Sequence, residues 1–247
     1  VLGICTVNGN RAVSFTTENT LRVKEFLNSS VPVYKGCAMP LVSSLQPGRR
    51  KHMPYTGPDN PEENVHSDYL DNMPPAKTAP ERVNAVTFLI DTLMASDGDI
   101  SLILVGPLTN LAVALRIEPA IAGKIKEIII MGGAYEFGNV EPFSEFNIWI
   151  DPEAAKIVLD CGAPVTLIPL DATHRAYLTP EDSKYFRSLG TKLGDFIAQE
   201  IDDRVEAYNL LQPLHIPDIA PMHDALCVAS LLDPSVITDI RHVRVDV

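Results

Sequence analysis

Three short runs dominated by branched apolar residues recur along the chain: Ile100-Ser-Leu-Ile-Leu-Val105, Ile125-Lys-Glu-Ile-Ile-Ile-Met131 and Pro164-Val-Thr-Leu-Ile-Pro-Leu170. Each is separated from the next by a segment with helical spacing of its apolar side chains. A strand that is apolar on both of its alternating faces is buried on both, which a parallel sheet between two helical layers provides. The spacing predicts helices over 81–94 and from 109 to 116. Another runs from 152 to 159, with Asp151 as cap and Pro152 at its first position, and Thr179-Pro-Glu-Asp182 opens a further one by the same logic. Upstream, 1–7 and 31–34 read as strands and 17–27 as a helix, and at the far end 240–247 alternates like a further strand. The fold class is therefore α/β: a single domain over 1–247 with a mostly parallel, open Rossmann-like central sheet and helices on both faces.

In such a sheet, ligands gather outside the carboxyl ends of the strands. Polar residues fall at those places: Asn8 and Asn10, Thr109 and Asn110, the stretch 132–147, Asp171 to His174, and His223-Asp224. The densest set is Asn139, Glu145 and Asn147, which together donate and accept enough hydrogen bonds to recognise a polyhydroxylated ligand such as a sugar. The same residues also suit a turn and an ordinary helix start, and spacing does not decide between the two. Asp224 has the chemistry to orient water or ligate a hard cation, and His223 to donate a proton near neutral pH. The competing role is a capping aspartate beside a satisfied histidine. Asp171 and His174 form a second, weaker pair of the same kind, since a strand-end aspartate often fixes a turn. Tyr208 is equally suited to stacking and to packing, whereas Trp149 reads as helix or core packing.

The charge balance narrows the partners. Thirty-two acidic against twenty basic side chains give a net charge of -12, an unfavourable field for a nucleic-acid backbone or an anionic membrane surface. The cluster Arg49-Arg50-Lys51-His52 reads as a solvated face. Four cysteines, Cys5, Cys37, Cys161 and Cys227, lie too far apart for a CxxC pair, which fits reduced thiols in a cytoplasmic protein. No apolar run reaches membrane-spanning length, and no HExxH, Walker, GxSxG or GxGxxG motif occurs. The region 39–80, rich in proline, glycine, asparagine and aspartate, is a functional lid or an insert, since irregular connections beyond about 15 residues are uncommon inside compact domains.

Taken in order, Gly3-Ile-Cys-Thr-Val-Asn-Gly-Asn10, Gly106-Pro-Leu-Thr-Asn110, Ile130-Met-Gly-Gly133, Gly138-Asn139, Glu145-Phe-Asn147, Asp151-Pro-Glu-Ala-Ala155, Leu170-Asp-Ala-Thr-His174 and His223-Asp224-Ala225 resemble the inosine-uridine-preferring nucleoside hydrolases. The resemblance covers nearly the whole chain. It implies a nucleoside hydrolase-like domain that splits the N-glycosidic bond of a ribonucleoside with water, in purine and pyrimidine salvage, with a bound calcium ion and assembly into a homodimer or homotetramer. It also implies roles. Calcium would be held by the Thr109 carbonyl and the Asp224 carboxylate; Asn10, His66, Asn139, Glu145 and Asn147 would bind substrate, and His223 and Asn147 would be catalytic.

The family further implies an aspartate-rich strand-and-loop segment ahead of Val1 and more chain beyond Val247. It usually carries a His-Gly motif where this chain has Val65-His-Ser-Asp68, so base preference is not legible here. Two other functions compete with this one: a noncatalytic nucleoside- or pentose-binding paralogue or fragment, and a hydrolase of another N-riboside.

Overall fold

The computed structural model describes residues 1–42, 45, 68–70 and 72–247. Its centre is a parallel ladder of β3 (Ile100–Leu104), β4 (Ile125–Met131) and β5 (Val165–Ile168), in that spatial order. A second parallel ladder pairs β1 (Ile4–Thr6) with β2 (Val33–Lys35). The strands β6 (Tyr177–Leu178) and β7 (Ala220–Pro221) form a two-residue antiparallel pair.

Helices lie on both sides of β4, and its alternation shows why. Ile128 and Ile130 are fully buried in a cluster with Leu89 and Leu93 of α2 (Ala85–Ala95), Leu111 and Leu115 of α3 (Thr109–Ile117), and Val158 of α5 (Pro152–Leu159). Ile129 and Met131 point the other way, against Ile168 of β5, Leu170 of α6 (Leu170–Thr173) and Leu226 and Cys227 of α9 (His223–Leu232). Ala112, Ala114, Ala154 and Ala155 carry no exposed surface and let α3 and α5 approach closely. Both-face burial of a parallel strand, expected from the apolar runs, is therefore realised.

The bounds of β4 and α5 match the spacing, and Asp151 and Thr179 are caps as expected. The Asp151 side chain accepts from the Ala154 amide, and Thr179 forms a reciprocal capping box with Asp182 at the start of α7 (Pro180–Ser188). Helix α1 (Val13–Phe26) starts four residues before the expected 17, because Ala12 offers no side-chain cap that a sequence could reveal. Helix α2 starts at Ala85 rather than 81, where Asn84 accepts from the Thr87 amide at 3.0 Å.

One expected strand is absent. Residues 240–247 are exposed and pair with no described strand; Lys156–Asp246 at 2.5 Å ties them to α5. Alternation specifies which face a strand would bury, but pairing needs a free neighbouring edge.

Most of the 39–80 region, including Arg49 to His52 and His66, lies outside the described residues. Its described end is strapped along α1. Asn19 bonds the Asp68 carbonyl at 3.0 Å and the Leu70 amide at 3.1 Å, and Arg22 Nη1 donates to the carbonyls of Leu70 and Met73. Glu18 takes the Ala76 amide and Glu25 those of Lys77 and Thr78. No helix among the described residues is long and apolar enough to cross a membrane.

Candidate active site

Strand β4 ends at Met131, and Gly133, at φ +78°, turns the chain out of the sheet in a conformation that favours glycine. The loop that follows returns at Glu145, the cap of the short helix α4 (Phe146–Ile150). Glu145 Oε1 accepts the Asn147 amide at 2.9 Å, and Oε2 accepts the Ile148 amide at 3.2 Å and, across the loop's base, the Gly133 amide at 3.0 Å. The helix-start role weighed for Glu145 is thus realised. Only 3% exposed, its carboxyl is pushed above the usual range by burial, against the pull of those three amides, with the nearby Asp224 charge adding to the rise.

A second carboxylate fixes the same loop from the next crossover. Asp171 Oδ2 accepts the Tyr135 amide at 2.7 Å and Oδ1 the Glu136 amide at 3.0 Å, while the Leu170 amide donates to the Gly133 carbonyl. Inside the loop, Asn139 Oδ1 accepts the Phe146 amide at 3.0 Å, and Gly138 is packed so tightly that a Cβ would collide with backbone atoms of Glu141 and Ser144. Asn147 is buried and its Nδ2 donates to the Met131 carbonyl at 3.1 Å, tying α4 to the end of β4.

Beside this loop stands a histidine anchored at both ring nitrogens. His223 Nδ1 lies 2.7 Å from Thr173 Oγ1, and Nε2 lies 2.6 Å from the Tyr208 hydroxyl, which α8 (Lys192–Leu211) supplies. His174 meets the His223 ring edge-on at a centroid distance of 5.5 Å. Burial pulls His174 below the usual histidine range, against the Asp171 charge, and its Nε2 is buried without a described partner.

Asp224, in the first turn of α9, accepts no hydrogen bond from the described residues. Its side chain is exposed, with protein on the surrounding sides. That desolvation pushes its pKa up to about 6, with Arg204 pulling it down.

The remaining expected residues sit at the ends of β1 and β3. The Thr109 hydroxyl donates to Asp151 at 2.6 Å and is approached by Asn8 Nδ2 at 3.5 Å. Asn110 bonds the Thr6 carbonyl and the Cys37 amide, stitching the end of the β1–β2 ladder onto α3. Asn10 is exposed on the β1 loop, where Gly9 packs against Pro107 of the β3 loop.

The structure thus brings Glu145, Asn147, His223 and Asp224 to one end of β4 and β5, with Asn139 on the adjoining loop. Asn10 and Thr109 lie at the ends of β1 and β3. Among the described residues, no three histidine, cysteine or acidic side chains gather into a metal site. Asp224 and the Thr109 carbonyl, the two expected ligands, supply two oxygens, but calcium takes about six to eight, so the described residues do not by themselves fit that ion. The sequence reading missed Thr173 and gave Tyr208 no polar partner, while the turn-fixing role weighed for Asp171 is the one the structure shows. The one available signal was the polar cluster Asp171-Ala-Thr-His174 directly after an apolar strand.

Comparison with known proteins identifies the family. The sequence model of the inosine-uridine preferring nucleoside hydrolases matches residues 1–247. A pyrimidine-specific ribonucleoside hydrolase of Shigella flexneri is 38% identical over 252 residues, covering 100% of this chain and 75% of that protein. Among solved structures, a purine-preferring ribonucleoside hydrolase from Gardnerella vaginalis superposes with a TM-score of 0.83 at 32% identity, over 96% of this chain and 73% of that one. A plant nucleoside hydrolase gives 0.83 at 29% identity, over 96% and 72%. Fold and sequence agree: the chain belongs to the inosine-uridine preferring nucleoside hydrolase family.

Proposed function

We propose that the cleft at the carboxyl ends of β4 and β5 binds a ribonucleoside and splits its N-glycosidic bond with water. The water oxygen goes to the anomeric carbon, a proton goes to the departing base nitrogen, and ribose and free base leave. The observation that carries this reading is the placement of a doubly anchored histidine, His223, and an open carboxylate, Asp224, beside a firmly held polar loop.

The sugar develops oxocarbenium-like positive charge as the bond breaks, so negative potential beside it favours the transition state over the ground state. With a pKa of about 6, Asp224 is mostly ionised at neutral pH and supplies that potential. Asn139, Glu145, Asn147 and Asn10 take the ribose. Glu145 Oε1 accepts only one amide, which leaves it a lone pair for a hydroxyl, and the Asn147 carbonyl oxygen accepts nothing from the described residues. Asn147 thereby touches the reacting sugar, and His223 protonates or orients the leaving base. His66 belongs to the same reading by resemblance alone.

Calcium, implied by the resemblance, would take the Thr109 carbonyl and the Asp224 carboxylate among the described residues, and no step above runs through it. Cytoplasmic residence fits four free thiols, and assembly of identical copies is read by light scattering. The test is to incubate the protein expressed from its whole coding sequence with uridine and with inosine, and to quantify ribose and base. Equimolar ribose and base, with a large loss of kcat in His223→Ala and Asn147→Ala, is expected. A protein that releases no ribose from any common ribonucleoside does not have this function.

A further inference from the structure

We propose that Thr173 is a positioning residue for His223: its buried hydroxyl, bonded to Nδ1, fixes the orientation of the imidazole ring. The proposal rests on the reading that His223 acts at the leaving base.

Thr173 ends α6, the single helical turn that follows β5, and none of its surface is exposed. Thr173 Oγ1 lies 2.7 Å from His223 Nδ1 and 3.4 Å from the Leu170 carbonyl, and on the far side of the ring the buried Tyr208 hydroxyl lies 2.6 Å from Nε2. Two hydroxyls on different elements therefore clamp one orientation of the ring.

A histidine held at a single nitrogen can swing or flip its ring, which presents the wrong atom to a substrate. Thr173 removes that freedom from a rigid place. Leu170, on the same turn, is 1% exposed in the core and its amide is bound to the Gly133 carbonyl. Asp171 between them holds the loop that carries Asn139. One turn of helix thus sets the sugar side and the base side of the cleft relative to each other.

The experiment is steady-state kinetics on uridine and inosine with the full coding sequence, comparing Thr173→Val, Thr173→Ser and His223→Ala. Thr173→Val keeps the shape and deletes the hydroxyl; kcat is expected to fall about 10- to 100-fold, as for other residues that orient a working histidine, with KM within about twofold. Thr173→Ser restores the hydroxyl and should recover kcat to within about threefold of wild type.

If His223→Ala leaves kcat unchanged, the underlying reading of His223 fails. If His223→Ala is impaired while Thr173→Val is not, the positioning role alone fails. Equal losses in the Val and Ser variants would make the methyl packing decisive and overturn the proposal. Should Thr173→Val not fold, Thr173→Ala decides: a fall in kcat at near-constant KM that Thr173→Ser does not share supports the proposal, and an unchanged kcat overturns it.

Discussion

Replacing Glu145 by alanine removes one acceptor from three backbone amides at once. Two of them, Asn147 and Ile148 at 2.9 and 3.2 Å, open helix α4, and losing such a cap costs about 1 kcal/mol. The third, Gly133 at 3.0 Å, lies at the base of a loop beside a carboxylate that is only 3% exposed, and an amide left unpaired there costs about 1–3 kcal/mol. The sum, about 2–4 kcal/mol, is a large part of a typical domain's 5–15 kcal/mol.

Glutamine keeps the shape. Its carbonyl oxygen can stand at the Oε2 position and keep Gly133 and Ile148, but its NH2 then faces the Asn147 amide, so about 2 kcal/mol is expected for Glu145→Gln. Urea unfolding followed by circular dichroism reads both. With a slope of about 3 kcal/mol/M, a loss of 3 kcal/mol moves the midpoint by about 1 M.

The pH dependence has a definite sign. Because burial raises the Glu145 carboxyl in the folded state, the native protein holds that proton more tightly than the unfolded chain. Its contribution is present below the ordinary glutamate range and is lost as pH rises through the raised value. The wild-type advantage over Glu145→Gln should therefore shrink with rising pH across that window. If both variants unfold within about 0.5 kcal/mol of wild type, Glu145 does not hold the loop and the argument is wrong.

Three further outcomes follow from the same geometry. Asp171→Ala should speed hydrogen exchange at the Tyr135 and Glu136 amides by about 10- to 100-fold, matching about 1.4–2.8 kcal/mol of lost protection, while the β4 amides stay unchanged; equal protection in both proteins would remove Asp171 as the latch. Gly138→Ala places a Cβ against the carbonyl oxygens of Glu141 and Ser144, so the loop must open, and KM for a ribonucleoside should rise more than kcat falls; an unchanged KM would show that the loop does not meet the sugar. Burial pushes the Cys5 thiol to about 11 and Cys227 to about 12, so at pH 8 roughly one in a thousand or fewer is thiolate; mass spectrometry should find both unlabelled by iodoacetamide in the native protein and fully labelled in urea.

Much of the fold was legible because it depends on local signals. Ile125 to Met131 is apolar on both alternating faces, and Pro152 sits behind a capping aspartate, so β4 and α5 fall where the spacing puts them. Where the signal is missing the reading slips: α1 begins at Val13 behind an uncapped Ala12. The alternation of 240–247 failed for the opposite reason, since a clear local pattern meets no described edge to pair with.

The site divides along the same line. Glu145 acts on residues next to it in the chain, and its capping role could be weighed from Glu145-Phe-Asn147 alone. The company of His223 could not, because its partners come from 50 and 15 residues away, on α6 and α8. A threonine in the turn after a strand looks the same in sequence whether it caps, packs or orients a histidine. What decides is the register of the parallel sheet, which sets the end of β5 beside the start of α9 and leaves a hydroxyl and an imidazole within 2.7 Å. The residues that would do the chemistry here are legible as types, and the residues that aim them become legible only when the strands are paired.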